Sequence, residues 1–263
     1  MKVITISRKK LVQFLLGGLA FVFIFSIVSG PLIGGAGKLA QTVTGRNKMV
    51  PIYQVGLEKE DKRVSISFDA CWGAEYTDDI LNVLDKYGIK STFFLVNIWL
   101  NDYPEIAKEI SNKGHELGLH TVSHPHLNNL SEEEIKKELV ENRALIEQLT
   151  GQKAYLFRPP FGEYSNKVLK VAESEGIVTI QWSIDSLDWV ESKSKDEIVN
   201  RVLKDISSGD IVLFHNNGQH TAAAIVPIIE KLQADGYQIV PISELIYKEN
   251  YYIDSQGTQR KKK

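Results

Sequence analysis

The reading of the fold starts from Val64-Ser65-Ile66-Ser67-Phe68-Asp69. Val64–Phe68 reads as a buried β-strand, and it delivers a carboxylate at its C-terminal end. A carboxylate in that position needs a partner. Outward from this strand, Lys62 to Ile246 alternates strand-like and helix-like segments. Further strands are expected at Thr92–Val96, Glu116–His120, Tyr155–Arg158, Val178–Ile184, Ile211–His215 and Gln238–Pro241. Helices are expected at Thr77–Tyr87, Pro104–Lys113, Glu132–Leu149, Asn166–Glu175, Lys195–Ile206 and Ala222–Asp235. Ser131 with Glu134 has the capping-box spacing that opens the third of these helices. Ile135, Leu139, Leu145, Ile146 and Leu149 give that helix a core face. Gly88, Gly114, Gly151, Gly176 and Gly236 stand where helices should end. About seven strands alternating with helices predict an α/β fold with a parallel sheet. The repeating region is short for an eight-fold barrel of about 250 residues. A smaller or distorted barrel, or an open doubly wound sheet, fits its length.

The 263 residues carry 31 Lys and Arg against 33 Asp and Glu, a formal net charge of -2. With 43% hydrophobic and 24% charged residues, this is a globular composition without the basic excess of a nucleic-acid binder. The chain has 1 cysteine, Cys71, so an intrachain disulfide is excluded, and Cys71 reads as a small buried residue. The N-terminus differs from the rest. Lys2, Arg8, Lys9 and Lys10 precede an apolar run from Leu11 to Ser29, and no further charge occurs before Lys38. At about 1.5 Å per residue the run spans about 28 Å as a helix, close to the thickness of a bilayer core. The flanking cations predict a cytoplasmic N-terminus. The expected organisation is a basic segment at 1–10, a transmembrane anchor (or a secretory signal) at 11–30, and a linker at 31–60. The α/β domain follows at 61–248, outside the membrane, and a polar basic, unstructured tail at 249–263. Secretion after signal cleavage is the alternative location, and a monomer is expected.

In parallel α/β folds chemistry gathers at the C-terminal ends of strands. Asp69, His120, Arg158, Asp185 and His215 all stand at such ends, with His124, His126, Asp188 and Trp189 just beyond. His120 and His124 are four apart, so on a helical turn both imidazoles could hold one metal ion; they could equally be polar loop residues. Asp69 could be a ligand, a general base or a structural acid. Arg158 precedes Pro159, Pro160 and Gly162, which read as a fixed tight turn. His215 could be a satisfied core histidine, and Trp189 either core or a ring that stacks on sugar.

Five ordered stretches resemble the motifs of the polysaccharide deacetylases, the NodB-homology carbohydrate esterases of family four. They are Ser67-Phe68-Asp69-Ala70, His120-Thr121-Val122-Ser123-His124, Arg158-Pro159-Pro160-Phe161-Gly162, Asp185-Ser186-Leu187-Asp188-Trp189 and Ile211-Val212-Leu213-Phe214-His215. The resemblance covers about Val64 to Ile246 and implies the family's distorted (β/α) barrel. It also implies hydrolysis of N-acetyl groups on an extracellular glycan, with peptidoglycan amino sugars as the expected substrate. A divalent metal ion, zinc or cobalt, is implied on His120 and His124, with Asp69 as general base, Arg158 holding Asp69 ionised, and His215 as general acid oriented by Asp185. Trp72, Phe161, Trp189 and Leu213 are implied to line the sugar-binding groove. Ala70 departs from the family, which usually has a second, metal-binding aspartate there. The form Ala70-Cys71-Trp72-Gly73 is similar to a sporulation-associated subgroup. Glu75, Asp69 or water are candidates to complete the metal shell. The departure also leaves two alternatives: a metal-independent amidohydrolase of the same superfamily, and a catalytically inactive glycan-binding relative.

Overall fold

A computed structural model describes residues 48–262. The expected anchor at 11–30 lies outside the described residues; among those described, no helix is long and apolar enough to cross a membrane. Seven parallel strands form one sheet: β2 (Arg63–Ala70), β3 (Thr92–Leu95), β4 (Glu116–Leu119), β5 (Leu156–Phe157), β6 (Val178–Thr179), β7 (Ile184–Asp185) and β8 (Ile211–His215), in the order β6-β5-β4-β3-β2-β8-β7. A further short strand, β9 (Gln238–Ile239), pairs with the start of β2. The expected helices form within a residue or two of their predicted ends.

The strand expected at Val178–Ile184 is two strands. β6 and β7 sit at opposite edges of the sheet, yet only residues 180–183 separate them. At about 3.5 Å per residue such a link cannot cross a flat seven-stranded sheet. The sheet therefore curls until its edges nearly meet, the distorted barrel expected from the sequence. Ile52 bridges to Ile180, and Gln54 to Asp210, so the chain ahead of β2 packs into the remaining gap. The stretch expected as linker up to residue 60 thus joins the fold, with Ile52 and Val55 buried and β1 at Gln54–Gly56. The tail is also structured. β10 (Tyr251–Ile253) and β11 (Thr258–Lys261) pair with each other, and β11 pairs with β1. Asp254 accepts backbone hydrogens from Gln256 and Thr258 and turns the chain, and Gly257 follows at φ 83°. Buried Gln259 then bonds both the N–H and the C=O of Tyr247.

Strand alternation sorts the side chains into two layers. Val64, Ile66 and Phe68 of β2, Phe93 and Leu95 of β3, and Val212 and Phe214 of β8 belong to the core under the helices. Phe94, Leu156, Ile180 and Ile211 form a second core inside the curl. Ser65, Ser67 and Asp69 alternate with the first set and so point into the curl. Ser65 Oγ donates to the Val240 carbonyl and Ser67 Oγ to the Val212 carbonyl. This explains why a buried strand carries three polar residues.

Candidate active site

Asp69 and His215 are register partners on the neighbouring parallel strands β2 and β8, so both face one end of the curl. Arg158, at the end of β5, is fully buried. Its Nη1 donates to Asp69 Oδ1 at 2.7 Å and its Nη2 to Ser67 Oγ at 2.8 Å. The guanidinium lies 4.2 Å from the centre of the Phe94 ring. Burial alone would raise the Asp69 pKa; the charge of Arg158, helped by His215, outweighs it and holds Asp69 below the usual carboxylate range. Asp69 is thus an ionised carboxylate with one oxygen, Oδ1, occupied by arginine. The other, Oδ2, lies 3.7 Å from His120 Nε2.

His120 and His124 come together without a helix. The segment His120–His124 is a strained loop in which Thr121 (φ 76°) and His124 (φ 54°) take left-handed backbone conformations, which cost non-glycine residues free energy. Side chains of the helix Glu132–Thr150 hold it. Asn142 Oδ1 accepts the N–H groups of His120 and Thr121, and the Glu138 carboxylate accepts those of Val122 and Ser123. Thr121 Oγ1 accepts the N–H of His124. The two rings end 5.0 Å apart. His120 Nδ1 lies 2.7 Å from the Arg158 carbonyl; a carbonyl only accepts, so Nδ1 carries the hydrogen and Nε2 keeps its lone pair. Burial lowers the pKa of both rings, that of His124 to about 4, with His120 adding to the effect. Both are therefore neutral, the form that binds metal.

Asp188, not Asp185, orients His215. Asp188 Oδ1 accepts from His215 Nδ1 at 2.9 Å, while Oδ2 accepts the His215 N–H at 2.8 Å and the Thr221 hydroxyl at 2.6 Å. Burial opposes charge on the imidazole, but the Asp188 bond and the charges of Asp188, Asp69 and Asp185 raise its pKa above the ordinary histidine value. Asp185 serves the turn between them. Its Oδ1 accepts the N–H of Leu187, a residue at φ 57°, and that left-handed step swings Asp188 back under β8.

These groups surround a cleft of about 460 Å³. Trp72, Phe161 and Trp189 stand on its rim at 58%, 54% and 56% exposure, an unusual fate for large aromatic side chains. The Phe161 ring packs edge-on to His124 at 4.5 Å and is stacked on His126 at 4.4 Å. Leu213 is buried in the cleft wall, with Asp185, Trp182 and Asn217 also lining it. Asp69, Trp72, His120, His124, Phe161, Asp185, Trp189, Leu213 and His215 thus line the cleft and Arg158 lies directly behind Asp69, while Glu75 does not line it. Sequence reasoning missed Trp182, Asn142 and Glu138, and gave Cys71 no part in the site. Asn142 did leave a signal, being a polar residue in the buried stripe Ile135, Leu139, Ile146.

The donor set accommodates a metal ion. The ligand atoms of Cys71, His120 and His124 lie within 4.8 Å of one another. Zinc–nitrogen and zinc–sulfur bonds of about 2.0–2.3 Å in a tetrahedral site put donors about 3.3–3.7 Å apart, so closure by at most about 1.5 Å suffices. Asp69 is outside that group, its Oδ1 taken by Arg158.

Comparison with known proteins gives the family. A family model described as polysaccharide deacetylase matches residues 56–180. A peptidoglycan-N-acetylglucosamine deacetylase of Bacillus cereus is 34% identical over 208 residues, 76% of this chain and 97% of that protein. The chain belongs to the polysaccharide deacetylase family. Another relative in the family, the peptidoglycan-N-acetylmuramic acid deacetylase PdaA of Bacillus subtilis, is 30% identical over 77% of this chain and 78% of its own length. The crystal structure of a pseudoenzyme of family CE4 from Bacillus anthracis superposes with a TM-score of 0.70 at 35% identity, covering 74% of this chain and 68% of that one. A mutant of that pseudoenzyme is described as having restored activity.

Proposed function

We propose that this polysaccharide deacetylase hydrolyses N-acetyl groups of peptidoglycan amino sugars outside the cell, held at the membrane by the apolar segment 11–30. The reading rests above all on one observation: an ionised aspartate and a histidine with raised pKa stand side by side on β2 and β8, facing two neutral histidines across one cleft. The relatives named for peptidoglycan deacetylation support the substrate class.

A divalent ion held by His120 and His124, zinc or cobalt by the nature of the donors, would supply polarisation of the acetyl carbonyl and a more acidic water. The protein's own groups do the rest. Asp69 Oδ2 takes the proton of the attacking water, and Arg158 keeps Asp69 ionised for that task. The backbone N–H of Phe161, in the sharp turn at φ 59°, offers a donor to the oxyanion. His215 Nε2 gives a proton to the departing amine, a poor leaving group as an anion. Asp188 holds that imidazole in the tautomer and charge state the step requires. Trp72, Phe161 and Trp189 offer faces to the pyranose rings of a glycan.

The test is acetate release from defined peptidoglycan fragments, with and without added zinc or cobalt. Wild type should release acetate, exhaustive chelation should stop it, and Asp69→Asn and His215→Ala should each lower turnover by at least about a hundredfold. Turnover that survives chelation would favour the metal-independent amidohydrolase. Fragment binding without acetate release by metal-loaded protein would assign the inactive, glycan-binding role, which the replacement at Ala70 and the pseudoenzyme relative also favour.

A further inference from the structure

The family resemblance leaves the metal shell one donor short at Ala70, a fully buried methyl group that does not line the cleft. The next residue does line it. Cys71 is 7% exposed, and its Sγ lies with the ring nitrogens of His120 and His124 inside 4.8 Å. We propose that Cys71, as a thiolate, is the third protein ligand, so that this chain carries a Cys-His-His metal centre where its family uses a carboxylate.

Several observations meet here. Cys71 and His120 directly follow β2 and β4, which β3 holds at fixed spacing, and His124 sits on the loop fixed by Asn142, Glu138 and Thr121. His120 is locked in the tautomer that presents Nε2, by its Nδ1 bond to the Arg158 carbonyl, the kind of outer bond that orients a metal-bound imidazole. Asp69 Oδ1 is engaged by the buried arginine. Glu75 does not line the cleft. Cys71 is an unpaired cysteine. Three protein donors leave a fourth tetrahedral position open to water or substrate, the arrangement of catalytic rather than structural zinc sites. A thiolate with two imidazoles selects zinc, cobalt and other borderline or soft ions over magnesium and calcium, which take oxygen donors.

This inference rests on reading His120 and His124 as metal ligands, but not on the deacetylase chemistry. The experiment uses the chain freed of metal and loaded with cobalt(II). A thiolate ligand gives a sulfur-to-cobalt charge-transfer band in the near ultraviolet. Because the chain has 1 cysteine, such a band can come only from Cys71. Wild type should show it at one equivalent of cobalt. Cys71→Ser, close to isosteric, should lose it while keeping the wild-type far-ultraviolet circular dichroism. Zinc affinity, read by competition with a chromophoric chelator, should fall by at least about a hundredfold in Cys71→Ser and in His124→Ala, with magnesium unable to compete in wild type. Cobalt bound without the band, or equal zinc affinity in Cys71→Ser and wild type, overturns the proposal. The wild-type spectrum decides the matter even if the variant fails to fold. Acetate release without the band would defeat this proposal alone; the band without acetate release would defeat the deacetylase reading alone.

Discussion

At the scale of single residues, the division of labour between Asp185 and Asp188 decides how the proposed acid works. Both lie in one motif, but only Asp188 touches His215, accepting its Nδ1 and its backbone N–H. A general acid must be protonated at working pH, and the raised pKa of His215 favours that form. Removing the charge at Asp188 should therefore lower the His215 pKa and move the alkaline limb of the pH–rate profile to lower pH. For Asp188→Asn we expect turnover down by about 10²–10⁴-fold together with that shift. Asp185→Asn, which keeps an oxygen for the Leu187 N–H, should shift the limb far less. A larger shift from Asp185→Asn than from Asp188→Asn would return the orienting role to Asp185. The choice between them was beyond reach of the sequence, because it turns on the left-handed conformation of Leu187, and leucine gives no sign of adopting one.

At the scale of elements, the helix Glu132–Thr150 acts as the splint for the loop His120–His124. Its start was legible: Ser131 and Glu134 close a reciprocal capping box, and Gly151 ends the helix at φ 73°. Its second task was written less plainly, in Asn142. That side chain accepts two N–H groups and donates to the Leu95 carbonyl and Asn97 Oδ1, all in the buried interior. Asn142→Leu would fill the space but leave the N–H groups of His120 and Thr121 without an acceptor, at about 1–3 kcal/mol for each buried group left unpaired. Urea unfolding should show a loss of about 2–6 kcal/mol, with metal affinity weakened as the loop relaxes. A loss below about 1 kcal/mol with unchanged metal affinity would show that the loop holds itself. The elements the sequence hid have physical reasons of their own. Val178–Ile184 is apolar enough to pass for one strand, though Gln181-Trp182-Ser183 carries the chain from one sheet edge to the other. The strands at 251–253 and 258–261 are short, and the second, Thr258-Gln259-Arg260-Lys261, is polar; what orders them is the long-range bonding of Gln259 and pairing with Gln54–Gly56.

At the scale of the whole molecule, the curled sheet buries titratable groups at both ends, and their sum sets the response to acid. His115 lies in the turn entering β4, at the other end of that strand from His120. Its ring is buried against Phe93, and Nδ1 accepts the Ser91 N–H while Nε2 has no protein partner among the described residues. Burial, with the nearby charges of Lys90 and Lys113, pushes its pKa down to about 4. The unfolded chain takes up this proton near pH 6.5, so between about 6.5 and 4 the unfolded state binds more protons than the folded one. Stability must then fall as pH falls through that window, and rise as pH rises. His120 and His124, also lowered, add to the same slope in metal-free protein. His215, raised, works the other way: its contribution is full below about pH 6.5 and is lost as pH climbs through its folded value. Asp69 and Asp85, lowered, hold their contributions until pH drops below the carboxylate range. Thermal unfolding of the metal-free protein from about pH 7 to about 4.5 should therefore show a falling midpoint. His115→Gln, which keeps an acceptor for Ser91 and cannot be protonated, should flatten that fall, while the midpoints of the two proteins converge towards about pH 7. Parallel midpoint curves for the two would place the acid sensitivity in the cleft histidines alone. Added zinc would then be expected to remove it, since a bound ion keeps those rings from taking up protons.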